Sequence, residues 1–161
     1  MNLQELFHMQ RELDRYIQSN RNVEESVFRK KVLALQVELS ELANETRCFK
    51  FWSTKGPSGK ETLLEEYVDC IHFILSLGIE KGFDSLEQWP EPSAEQDLTE
   101  LFLAAHQEVG RFAQQATLEQ YRNLWRVFGA LAKALGFSYG DVLTAYVEKN
   151  ETNYKRQQQG Y

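Results

Sequence analysis

The chain is short of the residues that break or staple a structure. It has 3 prolines and 9 glycines in 161 residues. That is too few for a domain of many short strands, which needs turn residues between them. Only Cys48 and Cys70 are present. With no Cys-x-x-Cys pair, a zinc site is not expected, and two reduced thiols fit a cytoplasmic protein. No apolar run reaches the roughly 18 residues that span a bilayer. The opening Met1-Asn2-Leu3-Gln4-Glu5 has no basic segment and no long apolar run, so no signal peptide is expected. Basic charge is also in deficit, with a net charge of −6. A general nucleic-acid binder carries the opposite sign. A nucleotide substrate is not excluded, because bound cations reverse a local field.

What is present is helical periodicity along nearly the whole length, so an all-α fold is expected. At this length one domain, residues 1–161, can build a proper core. The first helix is expected from about Leu3 to Gln18, with Leu6, Met9, Leu13 and Ile17 on one side. The second begins near Asn22 to Ser26 and runs to about Thr46, its stripe being Phe28, Val32, Leu35, Leu39 and Leu42. A loop through Phe51 to Lys60 follows, and a third helix spans about Glu61 to Lys81, with Gly82 placed to cap it. This third helix is apolar on most sides, as a central helix should be. Residues 83–93, with Trp89-Pro90-Glu91-Pro92, form a connector. Further helices are expected over about Ala94 to Gln115, Leu118 to Leu135 (ended by Gly136) and Tyr139 to Gln157, the last capped by Ser138.

Two acidic pairs stand out. Glu38 and Glu41 lie three residues apart in the second helix, Glu66 and Asp69 three apart in the third, with 24 residues between the pairs. Residues at that spacing share a helix face. Two such helices laid antiparallel bring four carboxylates together, which then need cations to stay ionised. Glu38, Glu41 and Glu45 border the leucine face of their helix. Glu66 and Asp69 continue into Cys70, Phe73 and Leu77, so acids and core residues share a stripe. Burying an uncompensated carboxylate costs several kcal/mol, and a bound divalent ion removes that cost. An all-oxygen set disfavours zinc and favours magnesium, which commonly holds phosphates; no EF-hand loop argues for calcium. The bland alternative is a pair of solvated acidic stripes.

Other residues suit a nucleotide. Lys149, Asn153 and Arg156 share a face of the sixth helix and offer charge and directed donors to phosphate oxygens. The alternative is a basic helix end complementing its dipole. His72 lies one turn beyond Asp69 and could reach the same pocket, or be an ordinary structural histidine. Trp52, after Phe51 in the loop, could stack on a base or plug the loop. Gly56-Pro57-Ser58-Gly59-Lys60-Glu61 is no phosphate loop. Its glycines are too close, Glu follows the lysine, and no strand precedes it. It reads as a flexible surface turn. Neither cysteine has an evident base partner for nucleophilic chemistry.

Together these residues resemble the all-α, dimeric-type dUTPases, a branch of the MazG-like nucleotide pyrophosphatases. The resemblance is strongest from Gln36 through Glu38, Glu41 and Glu45 to Trp52, and from Leu64 through Glu66, Asp69 and His72 to Leu75. It extends to the opening Leu6 to Asp14, with Gln10, and to the ending Lys149 to Gln157. The segment from about Ala94 to Leu135 matches least distinctly. One position departs: asparagine is more usual where this chain has Asp14.

The resemblance implies a helical bundle of about six helices and a homodimer. It implies hydrolysis of dUTP, with dUDP as a second substrate, to dUMP and pyrophosphate, which limits uracil incorporation into DNA. Glu38, Glu41, Glu66 and Asp69 would hold two or more Mg2+ ions, and Glu38 would also orient or deprotonate the attacking water. Gln10, Trp52 and His72 would form the uracil pocket. Lys149, Asn153, Tyr154 and Arg156 would contact the phosphates. Two alternatives stay open: a related pyrophosphatase acting on dCTP or another nucleotide, and a non-catalytic helical dimerisation module.

Overall fold

Apolar residues at steps of three and four become six helices in the computed structural model, which describes residues 2–21 and 26–160. They are α1 (Gln4–Arg21), α2 (Phe28–Thr46), α3 (Lys60–Glu80), α4 (Leu98–Gln114), α5 (Leu118–Leu135) and α6 (Tyr139–Gln158). Among the described residues there is no strand, only an isolated bridge between Asn2 and Gln88. None of these helices is long and apolar enough to cross a membrane. The expected all-α fold and the order of its helices are as observed.

α3 is the centre. α2 lies along it, α1 and α6 pack on it and on each other, and α4 joins α2 to α5. The stripe Leu35, Leu39 and Leu42 is fully buried against α3. Each such leucine contributes roughly 1.5–3 kcal/mol. α5 is fixed to α3 by two hydroxyls. Tyr121 donates to the Ile74 carbonyl at 2.8 Å and Tyr67 to the Phe128 carbonyl at 2.7 Å. Tyr121 comes so close that a Cβ on Gly78 would lie 2.1 Å from its hydroxyl oxygen, so only glycine fits there.

Helix ends follow local chemistry. Gly82 and Gly136 adopt left-handed φ of 78° and 79° and close α3 and α5, a conformation costly for other residues. Ser138 and Asp141 form a reciprocal capping box on α6. α4 starts at Leu98, not near Ala94. The Asp97 side chain caps the Glu100 amide, and the Ser93 amide is held by the Arg126 carbonyl at 3.1 Å, which keeps the intervening chain extended. α1 runs on to Arg21, whose guanidinium donates to Gln157 Oε1 at 3.0 Å. The start of the second helix was expected near Asn22 to Ser26; residues 22–25 lie outside the described residues, and α2 begins at Phe28. The connector at 83–93 is non-helical and strapped down: Gln4 Nε2 donates to the Asp84 and Leu86 carbonyls, and Trp89 Nε1 to the Trp125 carbonyl. The loop after α2 is tied as well. Arg47, at φ 58°, donates to Ser53 Oγ and to the Lys55 carbonyl, and the Ser58 amide to the Glu45 carbonyl. It is therefore an anchored turn rather than a loose one.

Candidate functional site

The packing of α2 on α3 sets the acids face to face. One carboxylate oxygen each from Glu38, Glu66 and Asp69 lies within 4.8 Å of the other two. Glu38 Oε2 and Glu66 Oε2 are buried and have no hydrogen-bond partner. Burial, then the charges of Asp69, Glu41 and Glu66, push the Glu38 carboxyl up to about 8. Burial and the charges of Asp69 and Glu41 push Glu66 up to about 7. Burial likewise raises Asp69, against the opposing pull of Lys149. Glu41 lies at the edge of the three and shares a side-chain hydrogen bond with Glu38. It is exposed and lines a groove of about 600 Å3 with Leu33, Val37, Ser40, Asn44 and Glu66. Its charge still acts on both Glu38 and Glu66. Three converging carboxylates with two oxygens lacking any donor fit a hard divalent cation, which supplies the charge that the protein withholds.

From Asp69 the same face of α3 runs inward through His72 to Ser76. Here the polar atoms around Asp14 are paired. Gln10 is fully buried on α1, accepts from the Tyr146 hydroxyl at 2.6 Å, and donates from Nε2 to Asp14 Oδ1 at 2.9 Å. Ser76 donates to Asp14 Oδ2 at 2.8 Å. Burial raises the Asp14 carboxyl in spite of these bonds and of the Lys31 charge. Lys31 pairs with Glu80 at 3.0 Å, and its charge reaches both Asp14 and His72. The His72 Nδ1 atom is buried without a partner. Burial, then the Lys31 and Lys149 charges, lower this imidazole to about 4, so it is neutral near pH 7.

α6 closes the cleft. Lys149 is 9% exposed, and its Nζ lies 3.1 Å from Asp69 Oδ1 and 3.2 Å from Glu65 Oε1. The Arg156 charge also acts on Asp69. Tyr154 packs its ring against Tyr16 of α1, with centroids 5.1 Å apart. Asn153 is half-buried on the same helix. Trp52 is 65% exposed and packs edge-on against Phe49 and Phe51. Glu38, Glu66, Asp69 and Lys149 are thus brought together, and Gln10 is joined to Asp14, Ser76 and Tyr146. Glu41 borders the first group.

Ser76, Lys31, Glu65 and Tyr146 were not anticipated. A signal existed for two of them. Lys31 precedes Glu38 by seven residues and Ser76 follows Asp69 by seven, so each continues its acid's face by two helical turns. Glu65 and Tyr146 become visible only when α6 docks.

A family model described as dUTPase matches residues 2–161. The chain therefore belongs to the all-α dUTPase family and is a dUTP-hydrolysing enzyme of nucleotide metabolism. The family generally uses a divalent metal. No curated protein matches the chain.

Proposed function

We propose that the chain hydrolyses dUTP to dUMP and pyrophosphate in a Mg2+-dependent reaction, with dUDP as a second substrate. The observation that carries this reading is the meeting of Glu38, Glu66 and Asp69, with two buried oxygens that have no donor. Glu38, Glu66 and Asp69 would hold the first ion, and Glu41, at the groove edge, would complete a site for two or more. When bound, Mg2+ neutralises phosphate oxygens and lowers the pKa of a coordinated water. Glu38 would orient the attacking water or take its proton once its own carboxyl is ionised. Lys149, Asn153, Tyr154 and Arg156 hold the phosphate oxygens.

Gln10, His72 and Trp52 select the base. A neutral His72 can offer the Nδ1 lone pair to the N3–H of uracil. Cytosine has no hydrogen there, and the mismatch leaves polar groups unpaired. Trp52 stacks on the ring from the loop side. Product dUMP becomes available for thymidylate supply, and loss of dUTP limits uracil in DNA. The enzyme acts as a cytoplasmic homodimer of one-domain chains spanning residues 1–161.

The test is pyrophosphate release from each deoxynucleoside triphosphate, with and without Mg2+. Turnover confined to dUTP and dependent on Mg2+ supports the reading. Preference for dCTP overturns the base assignment alone. Full turnover after chelation overturns the metal site.

A further inference from the structure

One positive charge already sits on a metal-ligand candidate. Lys149 Nζ touches Asp69 Oδ1 at 3.1 Å, and its side chain is nearly buried between α3 and α6. The same Asp69 carboxylate lies within the three-carboxylate cluster. An ammonium bonded to Asp69 offsets negative charge that a divalent ion needs, and it repels that ion at close range. Glu65 gives Nζ a second partner at 3.2 Å on the exposed side of the cleft. Glu38 Oε2 and Glu66 Oε2 have no such partner; of the three acids the lysine bonds only Asp69, and its charge reaches Glu66 as well.

We propose that Lys149 is a stand-in cation: before nucleotide binds it holds Asp69 and weakens metal binding, and an arriving polyphosphate draws it away and frees Asp69 for the metal. This rests on the reading of Glu38, Glu66 and Asp69 as the metal site. Lys149 is then a positioning residue that makes metal and nucleotide bind cooperatively. Its burial leaves the ammonium little water to lose on moving to phosphate oxygens. The coupling is reciprocal, so metal must also tighten nucleotide binding.

The experiment measures Mn2+ binding to nucleotide-free protein by electron spin resonance, and Mg2+ binding by calorimetry. Lys149→Met is expected to bind metal about tenfold more tightly than the parent chain. A dUTP analogue with an imido bridge between the α and β phosphorus atoms should tighten metal binding in the parent and much less in the variant. Arg156→Met removes a second charge that acts on Asp69 and should change metal affinity less than about threefold, as expected of a charge acting at longer range. Lys149→Gln keeps a donor for Asp69 without the charge, and carries the same expectation as the methionine variant if that one fails to fold. Equal or weaker metal binding in the Lys149 variants overturns the proposal, as does an equal gain in Arg156→Met. If Asp69→Asn binds metal as well as the parent does, the metal-site reading itself fails. If Asp69→Asn loses metal while the Lys149 variants gain none, only the stand-in role fails.

Discussion

Two polar clusters share one cleft and differ in one respect. Around Asp14, the carboxylate oxygens, the Gln10 amide and the Tyr146 hydroxyl are joined by hydrogen bonds. Around Glu66, buried carboxylate oxygens face each other with no donor at Glu38 Oε2 or Glu66 Oε2. Both draw on α3, and both are partly shielded from water. A satisfied network is a rigid wall, and its geometry exists before any ligand arrives. An unsatisfied one stores repulsion that a ligand relieves. The first is suited to recognising a neutral shape, the second to capturing charge. α3 carries both, so it sets their separation.

The largest effect should come from breaking the unsatisfied cluster. Asp69→Asn or Glu66→Gln is expected to lower kcat/KM for dUTP roughly a thousandfold, about 4 kcal/mol of lost charge stabilisation. Pyrophosphate release measures it. The same Glu66→Gln change should leave the metal-free protein no less stable, because it removes a carboxylate that its neighbours repel. A gain of about 1 kcal/mol would raise Tm by roughly 2–4 °C. A marked fall in Tm would mean that the acids stabilise the fold and contradict the contrast.

pH tests the contrast without mutation. The folded-state pKa values of Glu38 and Glu66, about 8 and about 7, lie above the ordinary 4.5. Below that ordinary value both states are protonated and these groups cost nothing. As pH rises towards 8 the unfolded chain loses protons that the folded chain retains, so metal-free stability falls. Melting in chelator is expected to show Tm declining from pH 5 to pH 8. Saturating Mg2+ should flatten or reverse the decline, because deprotonated acids bind the ion better. A flat curve in chelator would show that the acids are solvated.

The satisfied cluster should respond in the opposite way. Ser76→Ala leaves Asp14 Oδ2 without its donor, at a cost of about 1–3 kcal/mol in unfolding free energy. KM for dUTP should rise while Mg2+ affinity in the nucleotide-free protein stays unchanged. Chemical denaturation and calorimetry separate the two. The smallest effect on folding is expected at Trp52→Ala. That side chain is 65% exposed, so stability should change by less than about 0.5 kcal/mol. Stacking on a base would nonetheless show as a several-fold rise in KM.

The helices were legible because their apolar stripes are nearly uninterrupted and their caps are local: Gly82, Gly136 and Ser138 act within one turn of themselves. The α4 start was not, because Ser93 is restrained by Arg126 far along the chain, and no local pattern reports that bond. At the site, the paired acids were legible from spacing alone. Spacing alone did not show that Glu41 sits at the exposed border of the cluster, because three residues turn it about 60° from Glu38. It also gave no partner for Lys149, since Glu65 and Asp69 meet it only through packing. Asp14 was noted as a departure, yet its bonds to Gln10 and Ser76 depend on α1 and α3 meeting.

The central helix has a consequence in length. Glu66, Asp69, His72 and Ser76 fall within one arc of α3, and ten residues at 1.5 Å each separate the first from the last by about 15 Å. On the proposed reading this is comparable with the reach of an extended nucleoside triphosphate from its outer phosphates to its base. The Tyr121 and Tyr67 tethers on the opposite side prevent α3 from sliding. The helix is therefore a graduated rule clamped at its back. A molecule with base and polyphosphate touches both ends of the scale, and a monophosphate reads short.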